Sequence, residues 1–257
     1  MENNSFLSKF TPKQTFLTGM GMALALFFII GFFVLLAVFM RGGDLSLGQS
    51  AAANNQPGAA VPTGDGLAPQ PSGEISLAAV TDKDWIKGKK DAKISIVEFS
   101  DTECPFCKSF HPTLQRLLQE YPNDVNWVYR HFPLTSLHSK APKEAEATEC
   151  AGELAGNDGF WKYLDRLFEI TPSNDGLDLA QLPQIAEDVG LNRKKFEECL
   201  NSGKYASKIQ EQIQAAQAAG GQGTPYSVVV AGGQKIPVSG AVPLAQLKTI
   251  VDSALQK

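Results

Sequence analysis

The feature that most limits how this chain can fold is Cys104-Pro105-Phe106-Cys107, two cysteines two residues apart. The stretch before them, Ile94 to Ser100, reads as a buried strand in which Glu98 is the one charged residue. After them, Lys108 to Glu120 carries Phe110, Leu114, Leu117 and Leu118 at helical spacing. The pair therefore sits at a strand-to-helix turn. A thiol at a helix start faces unpaired backbone N–H groups and the positive end of the helix dipole, which favour the thiolate, its reactive form. Cys104 comes first and is expected to be partly exposed, the attacking thiol. Cys107, one turn in, is expected to be the more buried, resolving thiol. Pro105 falls where a helix accepts proline without losing a hydrogen bond. A zinc site would need a second ligand pair, and the chain has no other Cys-x-x-Cys and no His-x-x-His. The pair points to redox chemistry, with no metal.

A second signal lies near the N-terminus. Gln14 to Met40 contains no charged residue, and residues 19–40 are almost wholly apolar. As a helix that span would be about 33 Å long, against a hydrocarbon core of roughly 30 Å. It exceeds the apolar core of a cleavable signal peptide, so residues 19–40 are read as a retained transmembrane anchor; cleavage near Ser50-Ala51-Ala52-Ala53 is the alternative. Lys9 and Lys13 precede the span, which assigns residues 1–18 to the cytoplasm and the rest of the chain to the outside. That compartment lets disulfides form and persist, and an exported Cys-x-x-Cys tends to oxidise. Residues 41–74, rich in Gly, Ala, Pro, Gln and Asn, read as a flexible linker. With 23 basic and 27 acidic residues, a net charge of −4 and no basic run, the composition argues against a nucleic-acid partner.

Residues 75–257 are one domain's worth. Beyond the first strand and helix, Val125–Phe132 reads as a second strand. A helical block follows from Pro142 to about Lys204, broken at Gly156–Gly159, Thr171–Gly176 and Gly190–Asn192, and helix resumes to Ala219. Tyr226–Val230 and Gln234–Val238 flank Gly232-Gly233 as a hairpin, and a last helix runs from about Pro243 to Leu255. Cys150 and Cys199 fall on separate helices of the block. They are either two buried free thiols or a structural disulfide, and the exported context and even cysteine count favour the disulfide. His111, His131 and His138, the chain's three histidines, read as structural or surface residues.

The order strand, helix, strand, helical block, hairpin, helix is an α/β, thioredoxin-like layout with helices inserted at about 140–219. With Glu98, the Cys104–Cys107 motif and Gly223-Thr224-Pro225, it resembles the DsbA family of thiol-disulfide oxidoreductases, particularly its membrane-anchored bacterial members. The resemblance implies that Glu98 is a buried acid beneath the disulfide that relays the proton of Cys107; without it, a surface-facing strand residue is the plainer reading. Base rates alone would make the Thr224–Pro225 bond trans. The resemblance implies cis, with Thr224 offering its backbone to an extended substrate. Pro105 and Phe106 would tune the pair and meet the substrate, and where DsbA proper has a histidine Phe106 brings no charge, so a milder oxidant is expected. The implied activity is disulfide formation in reduced or unfolded exported polypeptides, with reoxidation by a membrane redox partner and no cofactor. The rival readings are a disulfide reductase or isomerase, and a non-enzymatic holdase for unfolded exported chains.

Overall fold

A computed structural model of the chain describes residues 75–256, together with Phe28 and Phe32. The expected cytoplasmic segment, membrane anchor and linker otherwise lie outside the described residues. Among the described residues, no helix is long and apolar enough to cross a membrane.

Five strands form one sheet: β1 (Trp85–Gly88), β2 (Ile94–Ser100), β3 (Val125–His131), β4 (Tyr226–Ala231) and β5 (Gln234–Ser239). Their spatial order is β1-β3-β2-β4-β5, with β2 and β3 parallel and every other pair antiparallel. Burial on both faces explains why β2 reads as an apolar run interrupted by Glu98, while β3, equally buried, takes in Asn126, Arg130 and His131 beside its apolar residues. The connection between them is helix α1 (Pro105–Glu120), so the residues joining β2 to α1 sit at the C-terminal end of a central strand. β1 escapes the sequence reading, because four residues including Lys87 and Gly88 carry no usable periodicity. Its outer edge is closed by a side chain: Asn157 accepts from Ile86 N (2.9 Å) and donates to Ile86 O (2.8 Å).

The helical insertion consists of α2 (Ala141–Ile170), α3 (Leu182–Asp188), α4 (Arg193–Ser202) and α5 (Ala206–Ala218), and α6 (Leu244–Leu255) ends the domain. The first break expected at Gly156–Gly159 takes the form of a kink inside α2, where Ala155 leaves helical geometry and Gly156 has φ 65°. The kink lets one helix serve two cores. Its first half, together with Tyr163 and Leu167 of the second, joins Leu182, Ile185, Phe196 and Leu200 in a cluster belonging to the insertion, while Phe160, Trp161, Leu164 and Phe168 pack with α1 and α6 against the sheet. Ala216 and Ala219 pack on the opposite sheet face with Val97, Phe99 and Val128. Cys150 of α2 and Cys199 of α4 are joined, with Cα atoms 5.8 Å apart. Closing a loop of that size contributes on the order of 4 kcal/mol where chain entropy dominates.

Trp85 locks β1 to α2. Its ring stacks on Phe160 at 4.8 Å between centroids and its Nε1 donates to Glu149 Oε1 (3.0 Å). Gly152 makes room for that ring, since a Cβ there would stand 2.4 Å from two of its carbons. Gly152→Ala is therefore expected to destabilise the domain by about 1–3 kcal/mol through overpacking. The check is the urea midpoint, and an unchanged midpoint would contradict the packing described.

Candidate active site

Cys104 is the N-cap of α1, in extended geometry (φ −77°, ψ 121°), with Pro105 in the first turn. Cys107 follows inside that turn, and both are free thiols. Their burial corrects one expectation: Cys104 is only 4% exposed, against 0% for Cys107. The cover comes from a distant segment, the loop before β4, where Thr224 O lies 3.4 Å from Cys104 Sγ. Phe106, between the two cysteines, is 64% exposed instead.

Though both thiols are buried, their acidities diverge. Hydrogen bonding from Cys107 chiefly lowers Cys104 to about 6, against the cost of burial, with Thr224 and the backbone N–H groups of Cys107 and Phe106 assisting. Burial first, then the proximity of the Cys104 thiolate and of Glu98, pushes Cys107 well above the ordinary thiol value. The backbone N–H of Asp101 points at Cys107 Sγ (3.5 Å). The geometry thus supplies one thiolate and one thiol held in its proton-bearing form.

Glu98 lies in the middle of β2, paired with Tyr129 and Ser227 on either side, and is buried. Its Oε2 accepts from Trp127 Nε1 (2.9 Å). Desolvation raises it to about 7, with the hydrogen bonds from Ser100 and Trp127 opposing and the Cys104 thiolate adding a small push. The Thr224–Pro225 peptide is cis, and Pro225 O accepts from Gly240 N (2.9 Å), which ties the loop to the end of β5. β2, α1 and the 224–225 loop therefore converge on the two sulfur atoms.

A family model described as thioredoxin matches residues 80–253. The chain belongs to the thioredoxin family. Its structural neighbours are DsbA-like thiol-disulfide oxidoreductases. Pseudomonas aeruginosa DsbA2 is 28% identical, with a TM-score of 0.58 over 68% of this chain and 96% of that one. Oxidised BdbD from Bacillus subtilis shares the fold at 21% identity, with a TM-score of 0.62 over 71% of this chain and 98% of that one. Among curated relatives, the Na(+)/H(+) antiporter NhaA 3 of Salinispora tropica is 35% identical over 152 residues, 59% of this chain. The chain spans 22% of that relative's length.

In this thioredoxin-family domain the redox turn also carries residues that the sequence did not single out. Asp101 is buried, and its carboxylate accepts from Glu103 N (2.8 Å), Leu134 N (2.7 Å) and the His138 ring (2.9 Å). Glu103, next to Cys104, is also buried and accepts from Gly176 N and Leu177 N, while its carbonyl takes Asn174 N (2.8 Å). These partners belong to the loop after α2, where Ser173, Asn174 and Asp175 all have positive φ, from 55° to 66°. Asn and Asp tolerate that region better than other non-glycine residues, so the Ser-Asn-Asp run was the available signal. Glu144 of α2 faces Glu103 and is raised to about 9, first by burial and then by its acidic neighbour. His111 and His131 pair instead with Asp165 (2.6 Å) and Glu149 (3.3 Å). Among the described residues, no group of three or more His, Cys, Asp or Glu side chains is arranged to hold a metal.

Glu98 yields a stability prediction with a definite sign. The folded protein keeps its proton up to about pH 7, whereas an unfolded glutamate releases it near its ordinary value of about 4.3. Stability is therefore lost as pH rises between those values. Glu98→Gln, which still accepts from Trp127, should leave the reduced protein's stability unchanged at about pH 4 and raise it by up to about 3 kcal/mol above pH 7. Denaturation curves at the two ends of that range test this, and variant and wild-type curves that run parallel would exclude a titrating Glu98.

Proposed function

We propose that this protein is a membrane-tethered, extracytoplasmic oxidoreductase that introduces disulfides into exported polypeptides. What carries the reading is a pair of free thiols one helical turn apart at the start of α1, with Cys104 Sγ 3.4 Å from Thr224 O of the cis-Pro225 loop. The arrangement lowers Cys104 to about 6 and pushes Cys107 well above the ordinary value. At pH 7 a thiol of that acidity is about 90% thiolate. Such a sulfur leaves readily from a mixed disulfide, and stabilising the reduced pair makes the disulfide more oxidising.

In the proposed cycle a substrate thiolate attacks Cys104 of the oxidised pair. The Cys104–Cys107 bond breaks, and Cys107 leaves with the electron pair and takes a proton from Glu98. A second substrate thiolate then attacks the substrate sulfur of the mixed disulfide, and Cys104 departs as thiolate. Two electrons have passed from substrate to enzyme, and a membrane redox partner removes them. Thr224 and cis-Pro225 would align an extended substrate beside Cys104, where Phe106 is exposed to meet it together with Pro105. The Cys150–Cys199 bridge would act as a structural brace of the insertion. Residues 19–40 are proposed as the anchor, with residues 1–18 on the cytoplasmic side, residues 41–74 as the tether and residues 75–257 as the catalytic domain. Lys9 and Lys13 ahead of the apolar span support that orientation.

Equilibration with a glutathione series tests the direction of the chemistry. The expected potential lies above about −200 mV, short of the strongest oxidants because Phe106 brings no charge. A value near −270 mV, that of thioredoxin, would instead support a reductase. Cys104→Ser should abolish oxidation of a reduced, unfolded substrate; a holdase would keep its binding. A reporter fused after Lys257 should be active only outside the cytoplasm, with the chain retained in membranes. Recovery of a soluble form beginning near Ala51 would replace the anchor by a cleaved signal.

A further inference from the structure

The loop between β3 and α2 brings a histidine to the redox turn. His138 is buried, and its Nδ1 lies 2.9 Å from Asp101 Oδ2. Asp101 in turn meets both cysteines through its main chain. Its carbonyl accepts from Cys104 N (3.2 Å) and its N–H points at Cys107 Sγ (3.5 Å). With Leu134 N and Glu103 N also on its carboxylate, the side chain is fixed and the imidazole is held with it. Oδ2 already accepts from Leu134 N, so Nδ1 is the ring's donor to Asp101 and the titrating position is Nε2.

Asp101 holds the ring directly, and Cys104 of the redox turn, with Asp175 and the Asn174 side chain of the loop after α2, acts on it electrostatically. Burial opposes a charged imidazole here, but Asp101, then Cys104 and Asn174, outweigh it and raise His138 above its ordinary value. Linkage is reciprocal: if the Cys104 thiolate favours the charged ring, the charged ring favours the thiolate by the same factor.

We propose that His138 is a positioning residue for thiol–disulfide exchange, held on Asp101 so that its positive charge favours the Cys104 thiolate and makes the Cys104–Cys107 disulfide a stronger oxidant. The proposal rests on the redox reading of that pair. It assigns to a separate loop the cation that Phe106, apolar and exposed, does not supply. Two substrate thiols and the enzyme disulfide yield a substrate disulfide, the Cys104 thiolate and the Cys107 thiol, with two electrons moving to the enzyme. Of the two substrate protons, one ends on Cys107. The other goes to solvent, or to His138 Nε2 where that ring was neutral in the oxidised protein.

The first test needs no variant. NMR titration of His138 in the full-length wild-type protein should give a higher midpoint in the reduced than in the oxidised form, and equal midpoints would overturn the proposal. The second uses His138→Asn, whose amide nitrogen can keep the hydrogen bond to Asp101. At pH 6, where about half of Cys104 is thiolate, alkylation of reduced Cys104 should slow about fivefold and the equilibrium constant for oxidation of glutathione should fall about twofold. Both differences should shrink as pH rises past the His138 midpoint, where the wild-type ring is neutral too. A merely structural role would lower stability without that convergence, and wild-type values at pH 6 in the variant would sink the proposal. Failure of the wild-type pair to exchange with glutathione would overturn the redox reading and this proposal together; exchange with an unmoved His138 midpoint overturns this proposal alone.

Discussion

A single buried carboxylate, that of Asp101, holds the redox turn together. Removing such a charge from water costs several kcal/mol unless hydrogen bonds replace the lost solvation. Here the replacements come from Glu103 in the same turn and from Leu134 and His138 in the loop after β3. Satisfying one charge therefore fixes two segments to each other. Because the main chain of Asp101 also meets Cys104 N and Cys107 Sγ, the positions of both sulfur atoms follow from the same attachment. Glu103 repeats the device toward the loop after α2, through its carbonyl and both carboxylate oxygens.

The two thiols illustrate how little burial alone decides. Both are shielded from solvent, and desolvation by itself would make each a weak acid. Cys104 escapes because it caps α1 and collects donors there, from the Cys107 thiol and from the first backbone N–H groups of the helix. Cys107 lies one turn further, beside Glu98 and beside the charge its partner carries. Burial, the Cys104 charge and the acid all act in the same direction on it, so the difference between the thiols is built from one helical turn and one strand residue.

The helical insertion is more than a lid of separate origin. Beyond the kink at Ala155 and Gly156, α2 serves both cores, with Tyr163 and Leu167 in the insertion's own and Phe160, Trp161, Leu164 and Phe168 in the one against the sheet. Past its C-terminus, Asp175 reaches back to cap its N-terminus through Ser139 N and Lys140 N (2.9 and 3.0 Å). The left-handed run that presents Asp175 also gives Asn174 N to the Glu103 carbonyl, and the two residues after it reach the Glu103 carboxylate. Strain of that kind, about 1–2 kcal/mol per residue, persists where surrounding contacts over-determine it, and here the contacts end at the residue preceding Cys104.

What the sequence determined by itself is what depends on near neighbours. The Cys-x-x-Cys spacing, the strand before it, the helix with Pro105 at its start, the β4–β5 hairpin and the breaks in the helical block each follow from residues within a turn or two. The buried run of β2 is legible because a strand covered on both faces is largely apolar, and Val125, Trp127, Val128 and Tyr129 mark β3 although Asn126, Arg130 and His131 are buried there too. β1 was not legible, since its four residues are held by partners distant in the chain: β3, the Asn157 side chain, and Phe160 and Glu149 of α2. The burial of Cys104, the company of His138 and the partners of Glu103 were equally hidden. Each joins segments far apart in the chain, and no local pattern records which buried donor will meet which buried charge. Only tertiary structure decides that, because the cost of an unmet charge is set by where the rest of the chain finally lies.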